Sequence, residues 1–203
     1  MIAEKLKRSP LRGHASQFAA ASDALGDRLA IRELAFLSQV DLRADPGDVA
    51  VMERLHAGLG FALPQIPNTS WSGGDRSALW LGPDEWLVTG PEDQQELIEG
   101  ALRSALSDAP GAVTDVSANR TVVELRGPLA RDVLARGCPV DLHPRVFGPG
   151  RCAQTLLGKA QVIVQLVEPT PAFWVYVRSS FAGYVADWVL DAVAGEMAVK
   201  PDR

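Results

Sequence analysis

The order of apolar periodicities along the chain predicts an α+β protein built of two fused β-α-β-β-α units, each an antiparallel sheet covered by helices. Three observations carry this expectation. Short apolar or alternating runs bounded by turn residues recur as strand signals, runs with three-and-four spacing lie between them as helix signals, and the same order of signals occurs twice between Arg28 and Gly195. The repetition is one of topology, since the two halves share no visible sequence identity. The expected division is an N-terminal arm over 1–28, a first half over 29–110, a second half over 111–196 and a C-terminal tail over 197–203.

The leader is rich in Lys, Arg, Ser and Ala, and Pro10 within RSPLRGH interrupts any helix. It reads either as an ordinary frayed terminus or, if the surface it lies on belongs to another chain, as an interface element. From Arg28, RLAIRELAFLSQVDLRAD alternates apolar and polar positions and predicts one strand with a bulge. GDVAVMERLHAGLGF then places Val49, Met52, Leu55 and Leu59 at helical spacing, with Gly60 as a stop. PQIPNTSWSGGDR is a loop by composition. ALWL and EWLVTG flank Gly82, Pro83 and Asp84, which predicts a hairpin. EDQQELIEGALRSAL carries Leu97, Ile98, Ala101, Leu102 and Leu106 on one stripe behind an acidic first turn.

In the second half, AVTDVSANRTVVELRG supplies one or two strands and GPLARDVLARG a short helix. RCAQTLL and AQVIVQLVE form a hairpin turning at Gly158 and Lys159, FWVYVRS adds a strand, and SFAGYVADWVLDAVAG closes with an amphipathic helix.

Composition excludes several classes of function. The 203 residues are 47% apolar and 22% charged, which suits a buried core, and the net charge of −5 disfavours a phosphate-backbone partner. No apolar run approaches the roughly 18 residues that span a bilayer, and MIAEKLKRSPLRGH has no apolar segment behind its charges, so a cytoplasmic protein without membrane or nucleic-acid partners is expected.

The chemistry-bearing residues are sparse. Asp84 and Glu85 are adjacent in a turn, where their side chains diverge and do not form a facing acid/base pair, so they read as a solvated hairpin tip. His14, His56 and His143 lack second ligands at metal spacing. Ser179 and Ser180 suit the N-cap of the last helix and sit in no GxSxG elbow. Cys138 and Cys152 read as two reduced, inert thiols, and the isolated turn glycines make no phosphate cradle. Trp80, Trp86, Trp174 and Trp188 fall within strand or helix patterns and read as core. Trp71 sits in the polar NTSWSGG stretch and reads as either core or an interface anchor. Catalytic, cofactor-binding and metal-binding residues are therefore expected to be absent, and the interface candidates are Arg8, Ser9, Pro10, Leu11 and Trp71.

LGPDEWLVTGPEDQQELIEGAL followed by TDVSANRTVVELRGPLARDVLARGCPVDLHP resembles the folate-binding fold of the glycine cleavage aminomethyltransferase and its relatives. With the RSPL arm, IRELAFLSQVDLR, PNT and FWVYVRSSFAGYVADWVLDA, the chain over most of its length resembles the gamma subunits of heterotetrameric sarcosine oxidases. The aminomethyltransferases carry an acidic pair in a G-G-x-x-D-D strand and a T-G-E motif that helps hold the pterin. Here the segments read SWSGGDRSALW and TLLGKAQVIV, with Lys159 where a carboxylate is expected. Cys152, in GRCAQTLL, lacks the G-Q-E that follows the cysteine of the iron-sulfur assembly relatives. A pocket for pterin donors needs an acidic acceptor, so the resemblance implies a retained fold without its ligand site. It further implies a non-catalytic structural subunit of a complex that demethylates sarcosine to glycine, with alpha, beta and delta subunits as partners. FAD, FMN, NAD, folate and zinc are then expected on those partners and none in this chain. The alternatives are a stand-alone folate-binding protein and the equivalent subunit of a related N-methyl amino acid dehydrogenase.

Overall fold

The computed structural model describes residues 7–168 and 171–198. Residues 1–6 of the predicted arm and 199–203 of the predicted tail lie outside the described residues. Strands β1 (Ala30–Leu34), β2 (Ser38–Ala44), β3 (Ser70–Gly73), β4 (Arg76–Gly82), β5 (Glu85–Gly90), β6 (Gly111–Asp115), β7 (Arg120–Arg126), β8 (Arg151–Leu157), β9 (Ala160–Glu168) and β10 (Ala172–Arg178) make two five-stranded sheets. One runs β3-β4-β5-β2-β6 and the other β1-β7-β10-β9-β8, with antiparallel pairing throughout. Helices α1 (Ala15–Leu25), α2 (Val49–Leu59), α3 (Gln95–Leu106), α4 (Ala130–Ala135) and α5 (Ala182–Ala198) cover the outer faces.

Three apolar clusters follow from strand alternation. Val40, Leu42, Trp86 and Val88 point from the first sheet onto Val51 and Leu55 of α2 and Ile98 and Leu102 of α3. Val123, Leu125, Val164 and Val175 point from the second sheet onto α1, α4 and α5. The opposite faces supply a third cluster, Leu79, Leu81, Leu87, Val122, Cys152, Ile163 and Tyr176, which lies between the sheets. The layers therefore run helix, sheet, sheet, helix, and each sheet is apolar on both faces.

Several expectations need correction. The single bulged strand from Arg28 is two strands in different sheets, because Phe36 takes a left-handed φ of 60° and turns the chain between Leu34 and Ser38. β1 thus belongs to the second sheet, while β6 joins the first, so the sheets divide the chain near residue 117, with α1 and β1 added to the second unit, and not at 110/111. The arm is largely α1, which buries Phe18, Ala21 and Leu25 against its own subunit's core. The NTSWSGG loop contains β3, paired from Ser70 to Gly73 with β4.

Two helical stripes are rotated from their predicted phase. Val49 (68% exposed) and Leu97 (62% exposed) face outward, and Val51 and Ala105 take the inward positions. Gly60 ends α2 at φ 82° as the sequence reading had it, and at the other end Asp48 Oδ1 accepts from Val51 N at 3.0 Å, a cap the sequence reading had not named.

Candidate functional site

The place where a ligand would sit in a two-sheet fold is the space between the sheets, and here side chains fill it. Leu79, Leu87, Val122, Ile163 and Tyr176 meet there, with buried polar residues threaded between them. Tyr176 donates its hydroxyl to Gln165 Oε1 at 2.8 Å, and Gln165 Nε2 donates to Ser72 Oγ at 2.9 Å and Ser70 Oγ at 3.2 Å. Gln39 Nε2 donates to Arg120 O at 2.8 Å. The Gln165–Ser70/Ser72 and Gln39–Arg120 bonds join the two sheets and satisfy donors that would otherwise be costly to bury, while Gln39 Oε1 is buried without a partner among the described residues. Cys152 donates to Thr69 O at 3.2 Å, and burial pushes its thiol up to about 12, so it is a poor nucleophile. Cys138 is also free and buried.

Two open clefts border this packed centre. The first, about 430 Å³, is lined by Arg120, Gln154, Leu156, Gln161, Tyr176 and Arg178 among others, with no carboxylate. The second, about 420 Å³, lies under the N-terminal segment and is lined by Lys7, Arg8, Pro10, Phe36 and Asp93 among others. The one carboxylate among its described lining residues, Asp93, is hydrogen-bonded to Lys7. A pterin ring presents a row of N–H donors that an acidic acceptor must meet, and among the described residues neither cleft offers a free one. Lys159 lies exposed in the β8–β9 turn, where the resemblance had placed a carboxylate. The residues present do not fit a pterin.

The acidic residues are engaged elsewhere. Asp84 is exposed at the hairpin tip, 3.7 Å from Arg43, as the sequence suggested. Glu85 departs from the solvated reading: it pairs with Arg43 Nη2 at 2.7 Å and stands near Asp41. Burial first, and the neighbouring Glu85 carboxylate second, raise Asp41 to about 6. At the other end of the second sheet, Glu124 is 3% exposed and held by Arg32 Nε at 2.5 Å, Arg126 Nη2 at 3.1 Å and Trp174 Nε1 at 3.2 Å. Burial alone would raise its carboxyl, but those donors outweigh it and hold Glu124 below the usual carboxylate range. Sequence reasoning passed over Glu124, although a lone acid in the apolar run TVVELRG was a signal of a paired buried charge.

The remaining candidates are structural in their surroundings. Ser179 does not cap α5: its hydroxyl donates to Ala118 O at 3.0 Å, and a 3₁₀ turn over Ser179–Phe181 leads into the helix. His14 bonds Asp187 of α5 at 3.0 Å, and His143 Nδ1 accepts from Arg145 N at 3.2 Å. Trp71 is half-buried and stacks on Phe61 with centroids 3.7 Å apart, so it belongs to the first core as much as to the surface. Leu11, 1% exposed, is consumed by its own subunit's core and is withdrawn from the interface candidates. Ser9 bonds Glu33, leaving Arg8 and Pro10 as exposed members of the arm set.

Two face-to-face antiparallel sheets, clad by helices and with a packed centre, define a protein of the aminomethyltransferase fold. Aminomethyltransferase T of the glycine cleavage system from Bartonella henselae superposes on 91% of this chain and 57% of its own with a TM-score of 0.65 at 13% identity, a likeness of fold alone. The chain belongs to the sarcosine oxidase gamma subunit family, whose profile matches residues 43–195. Sarcosine oxidase subunit gamma from Arthrobacter sp is 40% identical over 189 residues, 93% of this chain and 90% of the relative. Its counterpart from Corynebacterium sp. (strain P-1) is 38% identical over 97% of this chain and 94% of the relative. A chain in the structure of heterotetrameric sarcosine oxidase from Corynebacterium sp. U-96 in complex with pyrrole 2-carboxylate matches with a TM-score of 0.88 at 36% identity, over 97% of this chain and 100% of that one.

Proposed function

We propose that this chain is a non-catalytic structural subunit of a heterotetrameric sarcosine oxidase, supporting assembly of a complex that demethylates sarcosine to glycine. The observation that carries the proposal is the closed inter-sheet space: apolar and hydrogen-bonded side chains occupy it, and among the described residues the clefts beside it present no free acidic acceptor. Family membership supports it from outside the geometry. In this reading the alpha, beta and delta subunits are the partners, and FAD, FMN, NAD, folate and zinc reside on them, in the cytoplasm. Among the described residues no helix is long and apolar enough to cross a membrane.

Co-expression of the full chain with the genes for a flavoprotein and a small zinc-bearing subunit tests the proposal. The expected result is co-purification of all chains with sarcosine oxidation, and no oxidation or bound flavin in the purified chain alone. Oxidation of sarcosine by the chain alone would overturn it.

A further inference from the structure

The inner face of the second sheet is not covered evenly. Cross-strand register places Val122 opposite Tyr176, Tyr176 opposite Ile163 and Ile163 opposite Gln154, and the first three of these are buried beneath the other sheet. Two residues further along each strand the same face carries Arg120 opposite Arg178, and Gln161 opposite Leu156. That terminal row runs out past the covering sheet. Arg120 is half-buried, Arg178 and Gln161 are exposed, and Leu156 is 43% exposed.

Like charges directly opposed on adjacent strands repel one another. Among the described residues neither guanidinium has a carboxylate within 4.0 Å, and neither donates a hydrogen bond. Asp41 and Glu85 on the facing sheet are near enough for Arg120 to feel them, but Glu85 is taken by Arg43, which also meets Asp84. The guanidiniums line the 430 Å³ cleft together with Leu156 and Gln154. Beside them β8 is an end strand, and beyond Cys152, whose N–H donates to Asn68 O, no strand among the described residues lies next to its outer edge. A paired arginine fork, an apolar rim and an open strand edge together suit an extended acidic segment.

We infer that this end of the second sheet docks a carboxylate-bearing segment of another subunit, with Arg120 and Arg178 gripping the carboxylate and Leu156 covered by its apolar neighbour. This rests on the reading of the chain as a subunit. Charge complementarity selects the occupant: two arginines side by side, neither with a carboxylate within 4.0 Å among the described residues, call for an anion from outside.

The test uses the co-expressed complex and the full chain. Arg178→Glu is expected to weaken association more than about tenfold and to reduce its salt dependence, whereas Arg28→Glu, the same charge change at an exposed position toward the opposite end of the second sheet, leaves both unchanged. In the isolated chain Arg178→Glu relieves the repulsion with Arg120 and leaves the melting temperature the same or higher, the opposite sign to a residue that merely holds the fold. Leu156→Gln weakens association in the same direction. If the wild-type chain assembles and Arg178→Glu assembles equally well at every salt concentration, the docking face is wrong while the subunit reading stands. Failure of the wild-type chain to co-purify removes both. A saturable rise in the melting temperature of the lone chain with succinate, with assembly unaffected by Arg178→Glu, would overturn the docking face in favour of a small-anion site.

Discussion

Asp41 and Glu124 are both acids set in strands, yet their surroundings push them in opposite directions. Asp41 has its folded value raised to about 6 from 3.8, so the folded state binds its proton more tightly than the unfolded state does. Stability therefore rises as pH falls from about 7 toward 4, and Asp41→Asn is expected to flatten that slope. At neutral pH the same change stabilises the fold by about 1 kcal/mol, allowing for solvent screening at a half-exposed group. Urea melts at a series of pH values measure both effects. Glu124 is depressed, so its contribution is present above the ordinary carboxylate range and lost as pH falls through its lower folded value. Glu124→Ala strands Arg32 and Arg126 beside an apolar face and is expected to cost about 2–3 kcal/mol at neutral pH, below the usual figure for a buried pair because both arginines reach solvent. Gly158, at φ 58° in the β8–β9 turn, leaves room for Tyr184, whose hydroxyl would lie 2.5 Å from an added Cβ and accepts from Lys159 N at 3.0 Å. Gly158→Ala is expected to lower the melting temperature by several degrees, read by scanning calorimetry.

Helix α1 shows how an element is misjudged from composition. ASQFAAASDAL looks like a weak, soluble arm, yet Phe18, Ala21 and Leu25 keep helical spacing, and the small residues between them let the helix lie close to β1 and α5. His14 bonds Asp187 at one end and Ser22 Oγ bonds Phe18 O and Ile31 N near the other, tying α1 to α5 and β1. Phe18→Ala is expected to destabilise the chain by about 3–4 kcal/mol, which denaturant unfolding would read directly, whereas a detached arm would show no change. The hairpins of β4–β5 and β8–β9 and helices α2, α3 and α5 were legible because turn residues and apolar spacing agree locally. The split of β1 from β2 was not, since alternation continues across Ala35 to Leu37 and only the left-handed Phe36 breaks it. β3 was hidden because an edge strand of Ser, Trp and Gly has the composition of a loop.

At the scale of the whole molecule, the sequence showed two fused units but not the exchange between them. β1 crosses into the second sheet and β6 closes the first, a pairing fixed by tertiary contacts and invisible to periodicity. The filling of the inter-sheet space was not legible, because it depends on which faces of separate strands meet. Ser70, Ser72, Gln165 and Tyr176 form their network only once residues nearly a hundred positions apart are brought together. The space between the two sheets is filled by side chains of both, and in the proposed reading the chain meets its partners through its outer surfaces and sheet ends. Titration of the full chain with tetrahydrofolate, followed by tryptophan fluorescence and calorimetry, tests that claim most directly. The account predicts no saturable binding at micromolar concentration; a stoichiometric, saturable heat with one site per chain would contradict it.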